Sequence, residues 1–135
     1  MRLPFWEARL TAYLKRKANQ PFAYGVHDCC LFAAGAIEAV IGLDPMAKFR
    51  GYHGIRQARR ILGNGGGLER LVEQVTQTCR FSEVSPLAAR RGDVLFAVIG
   101  APSVGICDGW FAQFTSLDGL KRYPLSRCAR AWRVD

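Results

Sequence analysis

The sequence predicts an α+β domain, with helices first and a small antiparallel sheet second. In the first half of the chain, apolar residues recur at helical spacing. From about residue 80 the pattern changes to short apolar runs separated by glycine, proline and an Asp-Gly pair. A chain of 135 residues, 50% of them hydrophobic, is long enough for one domain with its own core. We therefore expect a single domain over 1–135, with an N-terminal helix in 1–20, a helical half in 22–78 and the sheet in 80–135.

Two helices are predicted ahead of residue 42. The first, over 5–17, has an apolar face made of Trp6, Leu10, Tyr13 and Leu14. The second, over 29–41, has Glu38 as its one charged residue, and a helix that is apolar all round is a buried one. Asp28 is a good N-cap for this helix, and Gly42 suits its C-terminal end.

Two further helices and the sheet complete the chain. A glycine-rich loop at 63–67 separates the third helix from the fourth, and the third presents arginines opposite its apolar face. The strands are predicted over 93–99, 104–107, 110–114 and 127–134. Asp108-Gly109 lies between the second and third of these runs and predicts a hairpin turn.

The segment from Tyr24 to Phe32 is the most informative for chemistry. Cys29 opens the buried second helix, where unpaired N–H groups and the helix dipole favour a thiolate. Such a cysteine is a candidate nucleophile, although the neighbouring carboxylate of Asp28 opposes a second negative charge. The alternative is a buried free cysteine that only packs, and the segment by itself leaves the two possibilities open.

Three motifs together resemble the NlpC-type papain-like cysteine peptidases, which commonly cut bacterial cell-wall peptides. They are the Tyr-Gly-x-x-Asp-Cys element opening an apolar helix at 24–29, Gly-Asp-Val-Leu-Phe at 92–96 and Val-Gly-Ile at 104–106. Within that superfamily the chain looks most similar to a small branch encoded in phage and prophage tail-tip gene clusters. The Asp-Cys-Cys-Leu-Phe-Ala-Ala run at 28–34, the 44–51 stretch and Ala-Trp-Arg-Val at 131–134 carry this closer resemblance.

The resemblance implies a papain-like minimal domain, with Cys29 at the nucleophile position. The family's catalytic histidine precedes Val-Gly-Ile, and in this chain that place holds Ser103. A serine hydroxyl cannot serve as the base of a Cys-His pair near neutral pH. His27, two residues before Cys29, is the candidate substitute base, and His53 is a weaker one. We therefore expect a degenerate peptidase fold used as a structural or assembly protein of a phage-type tail tip. The alternative is an active cysteine peptidase or amidase that acts on peptidoglycan through Cys29.

No metal or cofactor is expected. The five cysteines form no repeated CxxC pair, and adjacent Cys29 and Cys30 are expected to point to different sides of a helix. The longest uncharged stretch, 94–107, is short and interrupted, so no membrane span is predicted. Charges at Glu7 and Arg9 argue against a signal peptide. We expect the protein to be made in the bacterial cytoplasm and incorporated into the virion tail.

The chain carries a formal net charge of +8, and 15 of its 19 cations are arginine. Such a charge attracts polyanions non-specifically, but the cations are spread along the chain and no nucleic-acid-binding motif accompanies them, so no specific nucleic acid is expected. Arginine-rich faces that contact other tail-tip proteins explain the charge more simply, with peptidoglycan as a further candidate partner. The candidate partner-binding residues are Arg56, Arg59, Arg60, Arg130 and Arg133.

Overall fold

A computed structural model describes residues 1–65 and 67–135 and confirms the α+β class, with four helices ahead of an open antiparallel sheet. The helices are α1 (Trp6–Lys17), α2 (Cys29–Ile41), α3 (Gly54–Gly65) and α4 (Leu68–Thr78). The strands are β1 (Ser82–Val84), β2 (Val94–Ile99), β3 (Ala101–Cys107), β4 (Ala112–Phe114), β5 (Lys121–Tyr123) and β6 (Arg130–Arg133). Helix α3 continues to Gly65, so the expected glycine loop is shorter than predicted, and its residue 66 lies outside the described residues.

The six strands are hydrogen-bonded in the order β1-β6-β2-β3-β4-β5. Strands β1 and β5, which the sequence did not predict, are the two edges, and each is three residues long. Their segments, Ser-Glu-Val and Lys-Arg-Tyr, are too short and too polar to show an apolar alternation. Short, charged edge strands also limit pairing with other chains.

The turn at Asp108-Gly109 joins β3 to β4 as predicted, but β4 begins at Ala112 rather than at residue 110. The carboxylate of Asp108 explains the difference. Its Oδ1 accepts hydrogen bonds from the backbone N–H groups of Trp110 (2.9 Å) and Phe111 (2.8 Å). Those two N–H groups belong to an Asx-type turn and are not available to the sheet.

The central sheet has two buried faces. Val94 and Phe96 of β2 and Val104 and Ile106 of β3 pack in one cluster with the apolar residues of α1 and α2. The alternate residues of β2 and β3, including Ala97 and Cys107, pack on the opposite face. Helix α2 therefore lies on one face of β2 and β3.

Helices α1 and α2 approach closely at Gly35. The hydroxyl of Tyr13 donates a hydrogen bond to the carbonyl of Phe32 (2.8 Å), and the Tyr13 ring occupies the space that a side chain at position 35 would need. A small residue at position 35 is therefore required by the packing of α1 on α2. No helix of the described residues is long and apolar enough to cross a membrane, as the sequence predicted.

Candidate functional site

The start of α2 is fixed by the carboxylate of Asp28. Its Oδ1 accepts a hydrogen bond from the N–H of Leu31 (2.9 Å), which is the expected N-cap, and its Oδ2 accepts one from the N–H of Gly25 (3.0 Å). The hydroxyl of Tyr52 also donates to Oδ2. Gly25 has a φ of 79°, and a Cβ at this position would collide with the carbonyl oxygen of Tyr52. The loop before α2 and the loop before α3 are thereby held together around Asp28.

The sulfur of Cys29 lies between α2 and β3. The neighbouring Cys30 thiol and the backbone of Val104 are the groups that favour its thiolate form. The hydrogen bond from Cys30, with the help of Val104, lowers the pKa of the Cys29 thiol against the opposing effect of burial. The pKa of Cys30 is raised well above its ordinary value, because that thiol holds the shared proton and is buried. Each of the two thiols therefore influences the pKa of the other.

A cavity of about 330 Å³ opens beside this thiol pair. Most of its wall is apolar, and α3 and α4 close the side away from the sheet. Tyr24 and Tyr52 supply hydroxyl groups, and Arg59 contributes the one basic side chain of the wall. The volume is in the range of small-molecule sites. We call it the Cys29 pocket.

Ser103 lies on β3, the strand that passes Cys29, but its side chain is on the other face of the sheet. Residues that are directly opposite in an antiparallel pair share a face, and Ser103 is opposite Ala97, which is buried away from α2. The Ser103 hydroxyl donates to the carbonyl of Ala101 (3.3 Å) instead. Two residues of β3, Ala101 and Pro102, border the Cys29 pocket, and Ser103 does not. Position 103, at which the resemblance would place a catalytic histidine, therefore does not face the Cys29 sulfur, and the chain departs here from what the resemblance implies.

Neither histidine is among the groups that hydrogen-bond the Cys29 sulfur. His27 is 1% exposed, and its ring packs edge-on against Phe32, with the centroids 5.9 Å apart. Its Nε2 makes no hydrogen bond among the described residues, and burial lowers the pKa of the ring. His53 is exposed, beside Gly25, and does not line the pocket. His27 is thus a core histidine in this structure and not a base placed on Cys29.

Two of the five candidate partner-binding arginines form ion pairs within the domain. Arg133 donates through Nε to the buried carboxylate of Asp93 (2.9 Å). Arg130 binds carboxylates of α4 and β1, at 2.7 Å from Glu73 and 2.7 Å from Glu83. Its guanidinium also lies 4.8 Å from the ring centroid of Trp132. These contacts assign Arg130 and Arg133 to the fold, and they remove the basis for counting them as part of a partner surface.

Arg56, Arg59 and Arg60 are exposed on α3 as predicted. In the described part of the chain, none of the three forms an ion pair with a carboxylate. We call them the α3 arginine face. The same part of the chain brings no three histidine, cysteine or acidic residues together in an arrangement that could hold a metal ion.

Sequence reasoning found Cys29 and its N-cap but missed three groups around them. Our interpretation of the sequence did not place Cys30, Tyr52 or Pro102 at this site. Tyr52 comes 24 residues after Asp28, and Pro102 reaches the pocket only because of the β2–β3 register. The Tyr-His pair at 52–53, in a loop with two glycines, is a signal that could have drawn attention to this segment.

The chain was compared with known proteins. No curated protein and no solved structure matches it. A match to a family covers residues 1–134, which is nearly the whole chain, and that family is described as a domain of unknown function, DUF6950. The protein belongs to the DUF6950 family.

Proposed function

We propose that this protein is a structural or assembly component of a phage-type tail tip, with a fold related to that of NlpC-type cysteine peptidases but without their hydrolytic activity. Support for the relationship comes from the arrangement of elements, because Cys29 opens a buried helix that packs on an antiparallel sheet. The observation that carries the proposal of inactivity is the placement of the two histidines, because His27 is packed in the core against Phe32 and His53 does not line the Cys29 pocket.

Peptide cleavage by a thiolate needs a proton donor as well as a nucleophile. The thiolate attacks the carbonyl carbon, and the C–N bond breaks only when the departing amine receives a proton. Without that proton the tetrahedral intermediate expels the thiolate, which is the better leaving group, and the substrate is re-formed. Cys30 is a poor donor because its pKa is raised well above its ordinary value. Ser103 cannot contribute, since its side chain lies on the opposite face of the sheet.

The surface that remains for assembly contacts is the α3 arginine face. Its three exposed cations lie beside the Cys29 pocket, which Arg59 borders. Arginine is enriched at protein interfaces because its planar guanidinium provides both an apolar surface and several donors. An acidic partner subunit in the tail tip is therefore the expected binding partner.

Two experiments test this proposal. The purified protein is incubated with peptidoglycan and with soluble stem peptides, and we expect no more cleavage than from a Cys29→Ala variant. In the phage that encodes the chain, an Arg59→Glu/Arg60→Glu variant is expected to fold but not to enter tails. The matched control is Lys48→Glu/Lys121→Glu, which changes the net charge equally at two exposed residues outside α3. Normal incorporation of both variants would refute the assembly role of the arginine face.

The second candidate is an active cysteine peptidase or amidase. The lowered pKa of Cys29 beside a cavity of about 330 Å³ favours it. Cleavage that is abolished by Cys29→Ala would establish this activity and overturn the proposal of inactivity.

A further inference from the structure

A second groove, of about 540 Å³, lies between α1 and the β3–β4–β5 end of the sheet. It shares no lining residue with the Cys29 pocket, and its volume is in the range of small-molecule sites. The C-terminal part of α1 forms one wall, and the turn between β3 and β4 forms the other. We call it the Trp110 groove.

Trp110 stands at this groove with 84% of its surface exposed. The turn fixes the backbone at Trp110, because the Oδ1 of Asp108 accepts hydrogen bonds from the N–H groups of Trp110 and Phe111 at 2.9 and 2.8 Å. This turn holds the backbone in place and leaves the indole outside the core. An indole in this position is a large, flat apolar surface that is accessible to a ligand.

The polar groups of the groove are also fixed by contacts within the fold. The Oδ2 of Asp108 accepts a hydrogen bond from the amide of Gln113 (2.8 Å), and both side chains are mostly buried. Arg91 donates to the carbonyl of Asp108 and to the hydroxyl of Thr11, each at 2.6 Å. A ligand would therefore meet amide, carboxylate and guanidinium groups whose positions are set in advance.

The rim of the groove is basic. Arg122 is 66% exposed, with its Nε 3.6 Å from the Oδ2 of Asp108, and Lys15 is exposed on α1. With Arg91, the lining carries three cations against one carboxylate, which gives a local charge of 3 − 1 = +2. The exposed donors of Arg122 suit a carboxylate, which they can bind in a bidentate manner.

We propose that the Trp110 groove binds a small carboxylated saccharide. One sugar ring stacks on the indole of Trp110, and its carboxylate pairs with Arg122 and Lys15. Asp108 and Gln113, with Asn19 on the α1 side, receive the ring hydroxyls. This site does not depend on the activity of Cys29 or on the tail-tip role.

A single-stranded nucleic acid fits these observations less well. Such strands are bound by grooves that are basic along their length and carry aromatic side chains for successive bases. Here Asp108 places a carboxylate in the groove, and the C-terminal end of α1, which is the negative end of its dipole, lies along one wall. Both features repel every phosphate of a strand that follows the groove, whereas in the saccharide only the carboxylate of the stacked ring has to lie near them, beside Arg122 and Lys15.

The test is calorimetric titration of the intact protein with oligouronates of two to four galacturonic or glucuronic acid rings. We expect binding of at least one oligouronate, and a dissociation constant at least about tenfold higher for Trp110→Ala and for Arg122→Gln. Both replaced side chains are exposed, so circular dichroism should show an unchanged fold. The matched control is Arg127→Gln, which removes an exposed arginine that stacks on Tyr123 outside the groove, and it should leave binding unchanged.

Three results would overturn the proposal. The first is that no oligouronate binds. The second is oligouronate binding that Trp110→Ala leaves unchanged, since such binding would reflect a general electrostatic attraction of the anionic ligand to a protein of net charge +8. The third is Trp110-dependent binding of a single-stranded oligothymidylate without binding of any oligouronate, which would assign the groove to nucleic acid.

Discussion

Replacing Asp93 by asparagine tests whether the Gly-Asp pair at the start of β2 serves the fold. The Asp93 side chain is fully buried and accepts four hydrogen bonds. Its Oδ1 binds Arg2 Nη2 at 3.0 Å and the N–H of Val134 at 3.0 Å. Its Oδ2 binds Arg133 Nε at 2.9 Å and the N–H of Arg90 at 2.8 Å. This carboxylate therefore ties together the N-terminus, the start of β2 and the C-terminal strand.

The size of the effect follows from the number of acceptors. A carboxylate has two acceptor oxygens, whereas an asparagine amide has one, and its nitrogen is a donor. Whichever way the asparagine amide is oriented, its NH₂ group would face two of the four donors, and one of these two is an arginine guanidinium. The loss of one partner of a buried ion pair costs about 3–5 kcal/mol. Because domains are stable by only about 5–15 kcal/mol, we expect Asp93→Asn to remove a large fraction of the free energy of unfolding.

Urea denaturation, followed by circular dichroism, measures this loss. We expect a lower midpoint with an unchanged m-value. Asp118→Asn is the matched control, because Asp118 is exposed, and its effect should stay within about 0.5 kcal/mol. If Asp93→Asn lowered the free energy of unfolding by less than about 1 kcal/mol, the structural account of this carboxylate would be wrong.

Three further predictions concern the site and the sheet. Pro102→His should lower the pKa of the Cys29 thiol, because it adds a basic ring at the pocket, whereas Ser103→His should leave that pKa unchanged. The pH dependence of iodoacetamide alkylation at Cys29 measures this pKa in both variants. Equal effects of the two substitutions would contradict the strand register. Burial lowers the pKa of His27 below its ordinary 6.5, so the unfolded chain binds the proton more tightly and the free energy of unfolding should fall as the pH drops below about 6.5. His27→Phe should flatten this fall between about pH 7.5 and 5.5, and an unchanged slope would exclude His27 as its source. Arg130→Gln should cost about 1–2 kcal/mol in denaturation experiments at low salt and less at high salt, and a loss that does not depend on salt would argue against the ion pairs.

The sequence predicts those parts of the fold that are encoded locally. The spacing of apolar residues predicts α1 and α2, and the Asp-Gly pair at 108–109 predicts the turn after β3. This reasoning does not find the edge strands β1 and β5, because a three-residue segment with two polar residues acquires a strand conformation only by pairing with a neighbour that is already in place. Long-range pairing decides these two elements, and no local pattern marks it.

The same distinction between local patterns and long-range pairing explains which residues of the Cys29 pocket the sequence predicts. Asp28 and Cys29 are adjacent to the helix that they open, so the N-cap and the activated thiol are visible in the sequence. The face on which a β3 residue points depends instead on the pairing of that strand with β2. A shift of one residue along β3 exchanges Pro102 for Ser103 beside the pocket, and a motif read from the sequence does not fix that register.

The structure also changes the meaning of the net charge of +8. Arg130 and Arg133 bind carboxylates of the domain, so their charges stabilise the sheet and contribute little to an external field. The α3 arginine face keeps its cations exposed, and Arg59 borders the Cys29 pocket. A partner that binds this face through its acidic groups would cover the mouth of the pocket as well. Under the proposed assembly role, the basic surface and the cysteine belong to one contact region, whose function is to bind a partner and not to cleave a substrate.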